Sequence, residues 1–212
     1  MPPKEYFRKL IELYSESRET KYYNPNIFRG RSSSISSQLE DLTALFIALN
    51  NPDHCTYYID QPVRFGSSKT RYPDIVIQNG DKTIENLIDV KADIGWNRDG
   101  MYKFCMEWED RIKAVQGTET TFTDGKSKEK RHGKFSKRLK YHVLIATLEN
   151  SGKTLKNDHD KIKNECSNVN LYLLSDGQHP NTYGLTQQDV LDKINIQDDE
   201  FRRFFENLKD TP

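Results

Sequence analysis

The chain has 212 residues, with 32 basic and 32 acidic side chains, so its formal charge is zero and no single sign dominates its surface. A hydrophobic content of 34% beside 30% charged residues reads as one globular domain with long polar loops. No apolar run approaches the roughly 20 residues that span a bilayer, and the N-terminal MPPKEYFRKL lacks the apolar centre of a signal peptide. Cys55, Cys105 and Cys166 are odd in number and widely spaced, which fits free thiols of a reducing cytoplasm and excludes a zinc cluster or a disulfide framework.

In chain order, Tyr6, Leu10, Leu13 and Tyr14 predict an amphipathic helix over 4–14. A polar connection containing Arg29-Gly30-Arg31 leads into a second helix over about 37–49, whose main stripe is Leu39, Leu42, Phe46 and Leu49. Ser37 and Glu40 have the spacing of a capping box at its start. Residues 56–65 read as a strand, with Pro62 at a bulge or edge. Ile75-Val76-Ile77 and Leu87 to Lys91 read as two more strands. A helix over 101–116 follows, then a Gly/Lys-rich loop, a strand over 141–146, a helix over 153–166 and a strand over 171–174. The segments 186–194 and 198–208 read as helices, with Phe201, Phe204, Phe205 and Leu208 forming a core stripe or a dimer surface. These elements predict an α/β protein with a central mixed sheet flanked by helices: residues 1–34 precede a core at 35–176, and 177–212 form a helical extension.

Two carboxylates and a lysine stand out on the motif strands. Alternation puts Asp89 and Lys91 on one face of their strand, and Asp74 on the face opposite Ile75 and Ile77. Charges on such apolar strands are costly to bury without a partner, and a divalent cation is the simplest one. A tight Asn79-Gly80 turn would pair Asp74 with Glu85 and leave Asp89 four residues further along. Bringing Asp74 opposite Asp89 requires a bulge or a wider loop over about 79–84, and the wider loop is expected.

Pro73-Asp74, fourteen residues, then Asp89-Val90-Lys91 resembles the PD-(D/E)xK nuclease superfamily. Other matches lack flanking apolar strands: Pro52-Asp53, Asp124-Gly125-Lys126 and Glu19-Thr20-Lys21. Ser151-Gly152-Lys153-Thr154 resembles the end of a P-loop, but Thr147 stands where its first glycine belongs. The resemblance implies a restriction-endonuclease-like αβββαβ core and a Mg²⁺-dependent endonuclease. Asp74, Asp89, the Val90 carbonyl and Glu40 would hold the metal, with Glu40 either in the site or serving its helix cap. Lys91 would position the attacking water and stabilise charge. A type II restriction endonuclease acting as a homodimer on double-stranded DNA is the leading expectation. A structure-specific repair nuclease and a non-catalytic binding protein are the alternatives. DNA contacts are expected from Arg98 and from the basic segment bearing Lys126, Lys128, Lys130, Arg131, Lys134, Lys137 and Arg138. Trp96 and Trp108 are expected in the core, and the Asp158-His159-Asp160 run on a solvated helix face.

Overall fold

The computed structural model describes all residues except 23, 52–54, 67–68, 96–99, 153 and 210–212. Arg98, Trp96, Lys153 and the Pro52-Asp53 pair therefore lie outside the described residues. Helix α1 (Pro3–Glu16) opens on proline, whose fixed φ and missing N–H suit a first turn, and buries Tyr6, Phe7, Leu10, Ile11 and Tyr14. Helix α2 (Ser36–Ala48) buries Leu39, Leu42, Thr43, Ala44, Phe46 and Ile47. Its N-cap is Ile35 without a side-chain cap, so the capping box expected at Ser37 and Glu40 does not form. Leu49, expected on the stripe, is the C-cap and is exposed.

The strand expected over 56–65 divides into β1 (Cys55–Ile59) and β2 (Val63–Phe65). Asp60 has φ 48°, in the left-handed region, and Pro62 offers no N–H to a ladder; together they turn the chain away. β2 pairs with β3 (Lys69–Arg71) as a separate small hairpin. The chain then enters β4 (Ile75–Asn79), β5 (Thr83–Lys91) and α3 (Met101–Val115). Next come β6 (Glu119–Thr123), β7 (Lys130–Ile145), α4 (Leu155–Glu165) and β8 (Val169–Leu173). Two short strands, β9 (Ser175–Asp176) and β10 (Asn195–Ile196), pair with each other around α5 (Gln187–Lys193), and α6 (Asp198–Lys209) closes the described chain.

The result is a mixed α/β architecture around one curled sheet. β1, β4 and β5 are consecutive antiparallel strands, and β5 runs parallel to β7. The long β7 serves two neighbours on its other edge: β6 antiparallel along its first part and β8 parallel along its last. Its first part corrects the loop expected between 124 and 140. Residues 130–134 are ladder partners of β6, leaving only a short turn at the tip, where the Asp124 carboxylate accepts the Lys126 and Ser127 amides. Both faces of the sheet are covered. One carries Ile75, Ile77, Ile88, Val90 and Leu144 against α1, α2 and α6; the other carries Val76, Leu87, Tyr141 and Val143 against α3. Phe201, Phe204 and Leu208 belong to the first core, and Trp108 to the second.

Glu109 joins the two ends of this second layer. Its carboxylate is buried on α3 and accepts the backbone amides of Ser167, Asn168 and Val169 and the Asn168 side-chain amide. Burial alone would raise its carboxyl, but those amides outweigh it and hold it below the ordinary value. Glu109→Ala leaves these donors at the start of β8 unmatched, so urea denaturation should show a loss of about 2–4 kcal/mol. A loss within 0.5 kcal/mol, the scale of a neutral surface change, would mean the carboxylate is dispensable there.

Candidate functional site

The register expected for the motif strands is present, reached by two devices. Ile75 pairs with Ile88 and Val76 with Leu87, which sets Asp74 opposite Asp89. The connection Gly80–Lys82 shifts the pairing three residues from the tight-turn alternative, and a bulge at Glu85 supplies the fourth. Lys82, at φ 69°, closes the turn by donating its amide to the Asn79 carbonyl. The bulge was the less favoured option from the sequence, and both operate.

The charged groups then meet at the end of β5. The Asp74 backbone is pinned by Asp60, whose amide donates to the Asp74 carbonyl at 2.8 Å. Its side chain accepts the Val90 amide at 2.6 Å, standing in for the next rung of the ladder. Lys91 Nζ lies 2.7 Å from Asp89 Oδ2 and 3.5 Å from Asp74 Oδ2, so the two carboxylate oxygens are separated by no more than the sum of those distances. Burial, then the nearby Asp89 charge, push the Asp74 carboxyl up to about 7, against opposition from Lys91 and the Val90 amide. For Lys91, burial favours the neutral amine, but the two carboxylates prevail and hold the ammonium above its ordinary value. Two acids sharing one ammonium leave the site with surplus negative charge.

A cavity of about 390 Å³ opens onto this cluster, lined by Tyr14, Ser33, Ser34, Ser36, Glu40, Asp74, Lys91 and Asp93 among others. Glu40 is half-buried there, and burial, then Asp60, raise its carboxyl above the ordinary value. Among the described residues no three His, Cys, Asp or Glu side chains form a metal-binding group. The expected set of Asp74, Asp89 and Glu40 is thus not brought together; Glu40 shares the cavity but stands off from the pair. Val90 lines the cavity too, and its amide, not its carbonyl, makes the contact with Asp74. The donor chemistry of the pair fits a hard divalent cation, since both ligands are carboxylate oxygens with charge to spare.

Tyr141 was not singled out from the sequence. It is buried on β7, opposite Leu87, within hydrogen-bonding reach of Asp89, and its ring stacks on Trp108 at 3.9 Å. Burial, then the Asp89 and Asp74 charges, raise its hydroxyl well above the ordinary value, so it stays protonated beside Asp89. Only the β5–β7 register reveals it. The Asp158-His159-Asp160 run is also more than a solvated face: Asp158 is buried, and His159 bonds Glu200 and Arg203. Of the three, Asp160 alone is exposed.

The basic segment forms the β6–β7 hairpin. Lys134 sits opposite Thr83, at the end of β5 remote from Asp89, but the sheet curls back. Phe122 packs on Tyr58 at 5.0 Å, the Arg131 guanidinium lies over the Tyr58 ring, and Gln61 donates to the Thr123 carbonyl at 3.0 Å. The hairpin tip carrying Lys126, Lys128 and Lys130 therefore neighbours the segment that follows β1, next to Asp60. Lys126, Lys128, Lys130, Lys134, Lys137 and Arg138 are exposed, while Arg131 is ion-paired to Asp124 at 3.0 Å. Compared with known protein families and with curated proteins, the chain matches none, so the functional reading rests on these residues.

Proposed function

We propose that this chain is a Mg²⁺-dependent endonuclease that hydrolyses DNA phosphodiester bonds at Asp74, Asp89 and Lys91, on a restriction-endonuclease-like αβββαβ core made of α2, β1, β4, β5, α3 and β7. The observation that carries it is the convergence of two carboxylates on one lysine at the end of β5, beside a cavity that Glu40, Asp74 and Lys91 line. Asp74 and Asp89 would hold the metal. Mg²⁺ bound there supplies Lewis acidity, lowering the pKa of a coordinated water and offsetting charge on the phosphoryl oxygens. Lys91, held between the two carboxylates, would orient water and neutralise charge growing on the phosphate. The protonated Tyr141 hydroxyl would face Asp89 as a neutral neighbour. Val90 fixes Asp74 through its amide.

Incubation with supercoiled plasmid, with and without Mg²⁺, tests this function. Nicking or linearisation that requires Mg²⁺ supports it, and an intact plasmid under both conditions opposes it. Discrete fragments favour a homodimeric type II restriction endonuclease of the cytoplasm; branch-specific cutting favours a repair nuclease.

The exposed hairpin cations supply phosphate contacts in this proposal. Replacing Lys134, Lys137 and Arg138 with alanine should weaken DNA binding for every sequence. In Ca²⁺, it should also flatten the log–log salt dependence by up to about 3. Sequence preference should survive, because phosphate contacts position and base contacts specify. An unchanged slope would leave the hairpin merely solvated.

A further inference from the structure

The connection from α1 to α2 plays no part in the mechanism above, yet it exposes an unusual set of side chains. Phe28 is 87% exposed, Tyr22 75% and Ile27 53%. Three of the eight exposed large hydrophobics of the described chain thus fall within this one polar connection, where a folding role cannot account for them. Lys21, Arg29 and Arg31 interleave with them, and among the described residues no acidic side chain lines their groove of about 610 Å³. None of the three cations forms an ion pair among the described residues. Lys21 Nζ lies 5.6 Å from the Tyr22 ring centroid, and Arg29 is held by donating to the Glu19 carbonyl.

The chain passes from this groove to the cavity at Asp74 and Lys91 within two residues, from Arg31 to Ser33. The Ser33 amide donates to the Ser17 carbonyl, and Ser33 and Ser34 line that cavity. On the other side, Asn181 donates to Ser32 and accepts from Arg18, whose guanidinium stacks on the exposed Tyr183 ring at 4.3 Å. His179, in the same segment, bonds Asp93, two residues beyond Lys91. Two cation–ring pairs, Lys21 with Tyr22 and Arg18 with Tyr183, thus lie on the two segments that also reach residues lining the cavity.

We infer that the α1–α2 loop is a stacking surface for an unpaired nucleic-acid strand, which it delivers to the cavity at Asp74 and Lys91. Rings beside cations are what single strands need: bases stack on the aromatic faces while Lys and Arg follow the backbone phosphates, without demanding a sequence. A closed duplex keeps its bases stacked internally and has no use for Phe28 or Tyr22. The inference rests on the nuclease proposal only for where the strand leads; the stacking itself is independent of metal and cleavage.

The test is fluorescence anisotropy of a labelled single-stranded oligonucleotide, and of its duplex, in EDTA. Wild type should prefer the single strand. Phe28→Ala and Tyr22→Ala should each weaken single-strand binding about fivefold or more, and duplex binding less than twofold, with unchanged thermal melts because both rings are exposed. Phe28→Trp should retain binding. Arg29→Ala with Arg31→Ala should flatten the single-strand salt slope by about 1.4. Single-strand binding by Phe28→Ala within twofold of wild type overturns the inference, as does an equal loss for duplex. A dimer that dissociates in Phe28→Ala while single-strand binding stays constant also overturns it, marking the loop as a contact between copies. Cleavage separates the two proposals: a chain that binds single strands through Phe28 yet cuts nothing refutes the nuclease proposal alone, and a chain that cuts with unaltered binding in Phe28→Ala refutes only this one.

Discussion

Lys91→Ala and Asp89→Ala should each lower the rate of DNA cleavage by about 10³-fold or more, while DNA binding in Ca²⁺ stays close to wild type. Lys91 is assigned to charge that develops during reaction and Asp89 to the metal that offsets it, so their loss should fall mainly on turnover. Lys91 lies within ion-pair distance of both acids, so its removal also leaves two buried carboxylates facing each other. Lys91→Met keeps the aliphatic stem and serves as the control for packing. Single-turnover rates at saturating enzyme measure the effect, and near wild-type turnover in Lys91→Ala would remove this residue from the mechanism.

Asp74→Asn should make the metal-free protein more stable at pH 8, by on the order of 1–3 kcal/mol once the partial offset by Lys91 is allowed for. The Asp74 carboxyl stands at about 7 in the folded chain against 3.8 for its ordinary value. A raised folded value favours the protonated native state, so its contribution is complete below about pH 4 and is lost as pH rises through about 7. Asparagine carries no charge to lose, and its carbonyl still accepts the Val90 amide. In EDTA, the wild-type melting temperature should therefore fall across this window more steeply than that of Asp74→Asn. Mg²⁺ should restore the wild type and not the variant. A variant less stable than wild type at pH 8 without metal would show that the ionised carboxylate is stabilising.

How much of this was legible in the residues differs by element. Leu39, Leu42 and Phe46 announced α2, because helical spacing survives in almost any tertiary setting. Alternation put Asp89 and Lys91 on one face of their strand and Asp74 opposite Ile75 and Ile77 on its own; the register joins these into one face with Val76 and Leu87, with Ile75, Ile77, Ile88 and Val90 on the other. The bulge at Glu85 was only one of two options, because one extra residue in a strand depends on what the neighbouring strands require. The segment 130–140 looked like a loop because its cations mask the alternation of Gly133 and Phe135 inward; its pairing with β6 and β5 is a long-range fact. Tyr141 was hidden for the same reason. Glu40 illustrates the limit at a site: its helix face was readable, but its distance from the two strand acids depends on how α2 rests on the sheet.

Cleavage of supercoiled plasmid as Mg²⁺ is raised from zero, by wild type beside Asp89→Asn, reads the shared-cation chemistry most directly. The wild type should be silent in EDTA and its rate should rise and saturate with Mg²⁺. Asp89→Asn, nearly isosteric but uncharged, should remain silent at every concentration. Cutting by wild type in EDTA, or a variant that matches wild type once Mg²⁺ is present, would contradict a metal held by Asp74 and Asp89.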